Sequence, residues 1–174
     1  MLYAASGAQI FRFSYDDSLA PTDGGGRSLV RVLSSTNPDP NSFVWRASLA
    51  DGGNPGTTDT AAFTGAPLAN ADGDSILALL EYTFGTSDAA FTAPPWSAVR
   101  EVSGDVLFTF PRALNADDAI LSIESVAALT GTWAPAAAAL VTSTTAGSIA
   151  TETWRVTVPP GSASFFIRLK ATPR

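Results

Sequence analysis

Apolar and polar residues alternate along most of this chain, and one helical period interrupts the alternation. Residues 106–110 (Val-Leu-Phe-Thr-Phe), 119–126 and 165–170 read as strands. Residues 152–158 alternate cleanly, with Trp154, Val156 and Val158 on one face and Thr153, Arg155 and Thr157 on the other. Near the start, residues 10–15 put Phe11, Phe13 and Tyr15 opposite Ile10, Arg12 and Ser14. Residues 28–33 predict a second strand and residues 43–47 a short third. Pro21-Thr-Asp-Gly-Gly-Gly26, Asp51-Gly-Gly-Asn-Pro-Gly56 and Pro159-Pro-Gly161 supply turns. Residues 57–69 read as a linker, and the Ala/Thr/Ser-rich residues 134–151 as loop.

The helical period spans residues 75–84. Ile76, Leu77, Leu79, Leu80, Tyr82 and Phe84 fall at i, i+3 and i+4, apolar nearly all round, which predicts a buried helix. Asp74 suits its N-cap and Gly85 its C′ position. Pro94-Pro95 forbids a continuation. The expected fold class is all-β: Ig-like β-sandwich modules joined by one short helix with an EF-hand-type loop. Residues 1–60 form a partial β-module, 61–95 the linker with loop and helix, and 96–174 an antiparallel β-sandwich.

Composition narrows the function. The 174 residues are 45% hydrophobic, with 10 Phe and 4 Trp, so a core is available without staples. There is no cysteine and no histidine. Disulfides, thiol catalysis, zinc–thiolate sites and a Ser-His-Asp arrangement are therefore excluded. Net charge is −6, and the only lysine is Lys170. Without a basic cluster, nucleic-acid partners and anionic membranes are not expected, and no apolar run approaches the length needed for membrane insertion. Met1-Leu-Tyr-Ala-Ala-Ser6 lacks a charged n-region and does not read as a signal peptide. The expectation is that a signal was removed or that the chain is a fragment.

The strongest chemical motif is Asn70-Ala-Asp72-Gly-Asp74-Ser-Ile76, followed by Glu81. Asn70, Asp72, Asp74 and Glu81 occupy positions 1, 3, 5 and 12 of an EF-hand-type loop, and the Ile76 carbonyl occupies position 7. Calcium wants six to eight oxygens at alternating loop positions, so weak Ca2+ binding is expected. Ser75 replaces the usual glycine at position 6, and Ala78 at position 9 leaves a place for water. The other reading is an Asx-turn with an Asp74 N-cap and an exposed Glu81. The pairs Asp16-Asp17 and Asp117-Asp118 read as solvated turn residues rather than glycosidase carboxylates. Trp45, Trp96, Trp133 and Trp154 read as core rather than as a sugar-stacking platform. Arg168 and Lys170 share an outward strand face, against an isopeptide role for the lysine.

Two resemblances cover the chain. Phe11-Arg-Phe-Ser-Tyr15, Gly24-Gly-Gly-Arg-Ser-Leu-Val-Arg-Val32, Trp45-Arg-Ala47 and Gly53-Asn-Pro-Gly56 resemble the C-terminal half of a bacterial lamin-tail domain, an Ig-like sandwich, over about the first 56 residues. The family's N-terminal strands are absent, which implies uncovered apolar faces and edges. Residues 70–174 are similar to the C-terminal regions of large secreted bacterial proteins. There, a calcium-type loop and a Leu80-Glu-Tyr82…Gly85 helix precede a terminal sandwich, with an Ile123-Glu-Ser strand leading to Trp133. The resemblances imply a non-catalytic, secreted or cell-surface structural or adhesive protein. The expected partners are other protein chains, its own copies by strand donation among them. The alternative is a carbohydrate-binding module appended to a secreted enzyme.

Overall fold

The computed structural model describes residues 2–3, 5–7, 9–11, 24–31, 45–53, 57, 59 and 61–174. The expectations placed on Phe13, Tyr15, Asp16 and Asp17, and on the Asn54-Pro-Gly56 turn, lie outside the described residues. The chain divides into two compact units, Met1–Ala61 and Ala62–Arg174.

The first unit holds two antiparallel pairs. β1 (Leu2–Tyr3) pairs with β2 (Gln9–Phe11), and β3 (Arg27–Arg31) pairs with β4 (Trp45–Asp51). Ser48, fully buried, accepts the Ser28 N–H at 3.1 Å and donates to the Ala50 carbonyl at 2.6 Å. Beside it, Arg46 and Asp59 form a buried ion pair at 2.6 Å, and the Leu49 N–H donates to Asp59. Asp59 falls in the segment expected as linker, yet its carboxylate is fixed at the heart of this unit.

The second unit is built from seven strands and one helix. One sheet has the order β5-β6-β10-β9: β5 (Ser97–Arg100), β6 (Val106–Ala113), β10 (Ile149–Val156) and β9 (Ala138–Ala146). The other has the order β11-β7-β8: β11 (Phe166–Pro173), β7 (Ala119–Val126) and β8 (Ala134–Pro135). All pairings are antiparallel. The fold is all-β, with two sheets packed as a sandwich. Phe108, Phe110 and Val156 line the inner face of the first sheet, and Leu121, Ile123, Ile167 and Leu169 meet them from the second. On the outer face Thr109 and Thr153 face each other across strands, their hydroxyls 2.9 Å apart. Pro111 lies within a strand between two others, but β5 pairs β6 only as far as Thr109, so its missing N–H leaves no ladder bond unmade.

The expected loop over residues 134–151 is instead mostly β9 and its turn into β10. β9 is an edge strand exposed along nearly its whole length, so its small polar residues have no buried face to mark by alternation. β5 was likewise not anticipated; all four of its residues are exposed.

The helix α1 spans Ala78–Phe84 and packs on β6, β7 and β11. It begins at Ala78 rather than Ser75, and Asp74 is not its N-cap. Leu77 holds that position without a side-chain bond. The reason lies in the preceding loop: its Ala69 and Pro67 carbonyls accept the first free helical N–H groups, of Ala78 and Leu79. Gly85 ends the helix as expected, at φ 78°, with Thr86 N–H on the Glu81 carbonyl and Gly85 N–H on that of Tyr82. Within α1, Ala78, Leu79, Glu81, Thr83 and Phe84 are buried and Leu80 and Tyr82 half-buried, as a buried helix requires; Leu77, just before it, is 41% exposed.

Candidate functional site

The residues of the motif are held by the loop's own backbone. Asn70 Oδ1 accepts the Gly73 N–H at 3.0 Å, and Asp72 Oδ1 accepts the Asp74 N–H at 3.1 Å. Asp74 Oδ1 accepts the Ile76 N–H at 2.7 Å, while its Oδ2 accepts the Thr92 N–H at 3.1 Å. Ser75, at position 6, has φ 74°, the left-handed conformation that the usual glycine there adopts for the sharp turn. Ile76 itself enters the core, 2% exposed.

Of these residues the fold brings Asp72 and Glu81 together, and it adds Asp88, which the sequence reading missed. One oxygen of each lies within 4.8 Å of the others. The Schellman turn at Gly85 reverses the chain after the helix, so Asp88 returns beside the start of the loop. There its Oδ1 accepts the Ala71 N–H at 2.7 Å. The signal available in the sequence was an Asp shortly after the helix stop, in Gly85-Thr-Ser-Asp88.

Glu81 was exposed in the Asx-turn reading; in the structure it is 0% exposed. Its Oε1 accepts the Thr86 hydroxyl at 3.2 Å, and its Oε2 is buried with no partner. Asp72 Oδ2 is also buried without one. Burial pushes the Glu81 carboxyl above its ordinary value. The Thr86 hydrogen bond pulls it back, and the charges of Asp72, Asp74 and Asp88 push it up further. Two ionised carboxylates at 4.8 Å repel by about 3–4 kcal/mol at an effective dielectric of ~20. Among the described residues no Arg or Lys pairs with any of the three. The cluster is chemically a hard-oxygen, anionic pocket suited to a cation.

The other candidates resolve differently. Asp117 is not a solvated turn residue: it is 3% exposed. Its neighbour Asp118 accepts the Phe63 N–H at 2.9 Å, and the Phe63 ring meets Tyr82 edge-on at 5.3 Å. The Asp118 carboxylate ties this turn to the segment before the loop. Trp133 lies under the Arg168 guanidinium at 4.3 Å, Trp154 donates to Glu152 at 2.8 Å, and Trp96 packs on Phe84. The Trp45 side chain lies outside the described residues. Arg168 and Lys170 are outward-facing, and both pair with Glu124 of β7.

A second feature is an open strand edge. Among the described residues β11 pairs only with β7, and its other edge borders an apolar groove. Two adjoining cavities of about 300 and 250 Å³ share Leu80, Arg168 and Leu169. Trp96, Ala98 and Ile167 line one, and Leu68 and Leu77 line the other. No protein-family model, curated protein or solved structure matches the chain.

Proposed function

We propose that this chain is a non-catalytic structural or adhesive module of a secreted or cell-surface protein, and that it works by joining protein chains through the outer edge of β11. The observation that carries the reading is that edge: a strand of 8 residues, unpaired on one side among the described residues, beside an apolar groove. Such an edge templates strand addition, in which main-chain bonds supply affinity and pockets for alternate side chains supply register.

The topology supports the same reading. The orders β5-β6-β10-β9 and β11-β7-β8 are compatible with strands A-B-E-D and F-C-C′ of an Ig-like sandwich, in which a further strand, G, lies beyond F. The proposed occupant is an extended segment of a second copy. Residues 9–15 suit it, since Phe11, Phe13 and Tyr15 present apolar side chains at every second position. The resemblance of the first 56 residues to half a lamin-tail domain fits a chain with strands to share. The resemblance of residues 70–174 to the ends of secreted bacterial proteins fits the setting.

Light scattering across a wide concentration range tests this, with Ala98→Arg as the blocking variant because Ala98 is exposed at the groove. The expected result is concentration-dependent association, weakened by the variant. A strictly monomeric chain up to about 1 mM, the concentration that corresponds to ~4 kcal/mol of binding, would contradict the reading.

A further inference from the structure

The acidic cluster beside α1 has a geometry that internal hydrogen bonding does not account for. Asn70 and Asp74 are complete as turn residues, because the backbone N–H groups of Gly73, Ile76 and Thr92 take up their side-chain oxygens. Asp72 and Asp88 each spend Oδ1 on a backbone N–H. Glu81 is fully buried, and its Oε2 meets no donor. A fully buried carboxylate with one oxygen left without a donor, one of whose oxygens lies within 4.8 Å of an oxygen of each of two further carboxylates, is an arrangement that a cation completes.

We infer that Asp72, Glu81 and Asp88 form a binding site for one hard divalent cation, and that Ca2+ is the ion it takes. The donors are all carboxylate oxygens, and the sequence offers no histidine or cysteine for a softer metal. Calcium accepts irregular oxygen geometry at flexible coordination number, whereas Mg2+ demands a near-ideal octahedron and gives up its water reluctantly. Here each carboxylate is already held through one oxygen, by Asp74 N–H, Thr86 Oγ1 or Ala71 N–H, which limits its adjustment to a tight octahedron. The three ligands come from the loop, the middle of α1 and the turn after it. A bound ion would therefore tie three consecutive segments together. This ligand set differs from the EF-hand spacing in one decisive residue: Asp88, from beyond the helix, takes part, while Asn70 and Asp74 serve the turn.

The test uses the full chain stripped with chelator and titrated with CaCl2 alone by calorimetry and thermal melting, with MgCl2 in parallel. The expected Kd is about 10⁻⁴ to 10⁻³ M, as in extracellular calcium modules, with weaker Mg2+ binding. Asp88→Asn should weaken Ca2+ binding by about tenfold or more, because affinity follows the ligand charge count, and Asn70→Ala should change it by less than about threefold. Glu81→Gln should abolish the calcium-induced rise in Tm while leaving the calcium-free Tm at or above that of the parent. A purely structural Glu81 would instead lower it. Should Asp88→Asn fail to fold, Asp72→Asn carries the same comparison. Absence of both heat and a Tm shift at about 10 mM Ca2+, at least ten times the upper Kd above, would overturn the inference. Parental affinity in Asp88→Asn, or in Asp72→Asn where that stands in, would do the same.

Discussion

Replacing Asp59 by Asn should unfasten the β3–β4 pair. The side chains of Arg46 and Asp59 are 1% and 5% exposed, with Nη1 and Oδ1 2.6 Å apart. Asparagine keeps the volume of Asp59 and can still accept the Leu49 N–H, so the substitution removes chiefly the negative charge beside the buried Arg46 cation. Breaking one side of a buried pair costs about 3–5 kcal/mol. Since the chain has two compact units, the readout for this pair should be local to the first. The assay is therefore hydrogen exchange of the amides of residues 45–51, whose protection should fall by about two to three and a half powers of ten, taking ~1.4 kcal/mol for each. The pH dependence follows. Burial alone would push the Asp59 carboxyl up. The Arg46 hydrogen bond, the Leu49 N–H and the charges of Arg46 and Arg27 outweigh it, and the net value lies below the ordinary 3.8. A carboxylate lowered on folding stabilises fully above its unfolded value, and that contribution is lost as pH falls through the lower folded value. Acid should thus loosen β3–β4 below about pH 4, and Asp59→Asn should abolish that slope. A loss in protection worth less than about 1 kcal/mol would refute the reasoning, since it would place the pair among the weak surface bridges.

Other expectations follow from the second unit. Phe110→Ala, at a site 2% exposed between the sheets, should cost about 3–5 kcal/mol in denaturant unfolding. Gly85→Ala should destabilise by ~1 kcal/mol or more, because φ is +78° and an added Cβ would lie 2.5 Å from Ile149 Cδ1. Glu124 should titrate by NMR below its ordinary 4.5, held down first by the Arg168 hydrogen bond, against burial, and then by Lys170. Arg168→Gln should move it back up. The stabilisation from Glu124 is present above its unfolded value and lost as pH falls through the folded one.

Legibility in the sequence followed burial. β7 matches its expected bounds, and β6, β10 and β11 fall where alternation placed them, because one face of each enters the core. β9 and β5 were invisible for the opposite reason: exposed edge strands have no buried face to impose a period. The tight turn of the loop was legible from spacing, since position 6 is left-handed even with Ser75 there. Asp88 was not, because its place depends on how the Gly85 turn folds back, which local spacing does not encode. Spacing marked Glu81 as position 12 of the loop but not as buried, since ionised side chains are seldom fully buried. Only the packing of α1 on the sandwich shows that it is. Asp117 differs from its expectation in the same way: an acidic turn residue expected in solvent is 3% exposed.

The most direct test of the proposed assembly is hydrogen exchange along β11, compared between dilute and concentrated protein. In an antiparallel ladder, alternate N–H groups point to each neighbour. Those of Phe166–Pro173 that face β7 should be protected at every concentration. The outward-facing ones should exchange fast when dilute and gain protection as copies associate. Ala98→Arg should suppress that gain. Outward amides equally protected at the lowest measurable concentration, in a species that stays monomeric, would contradict the account.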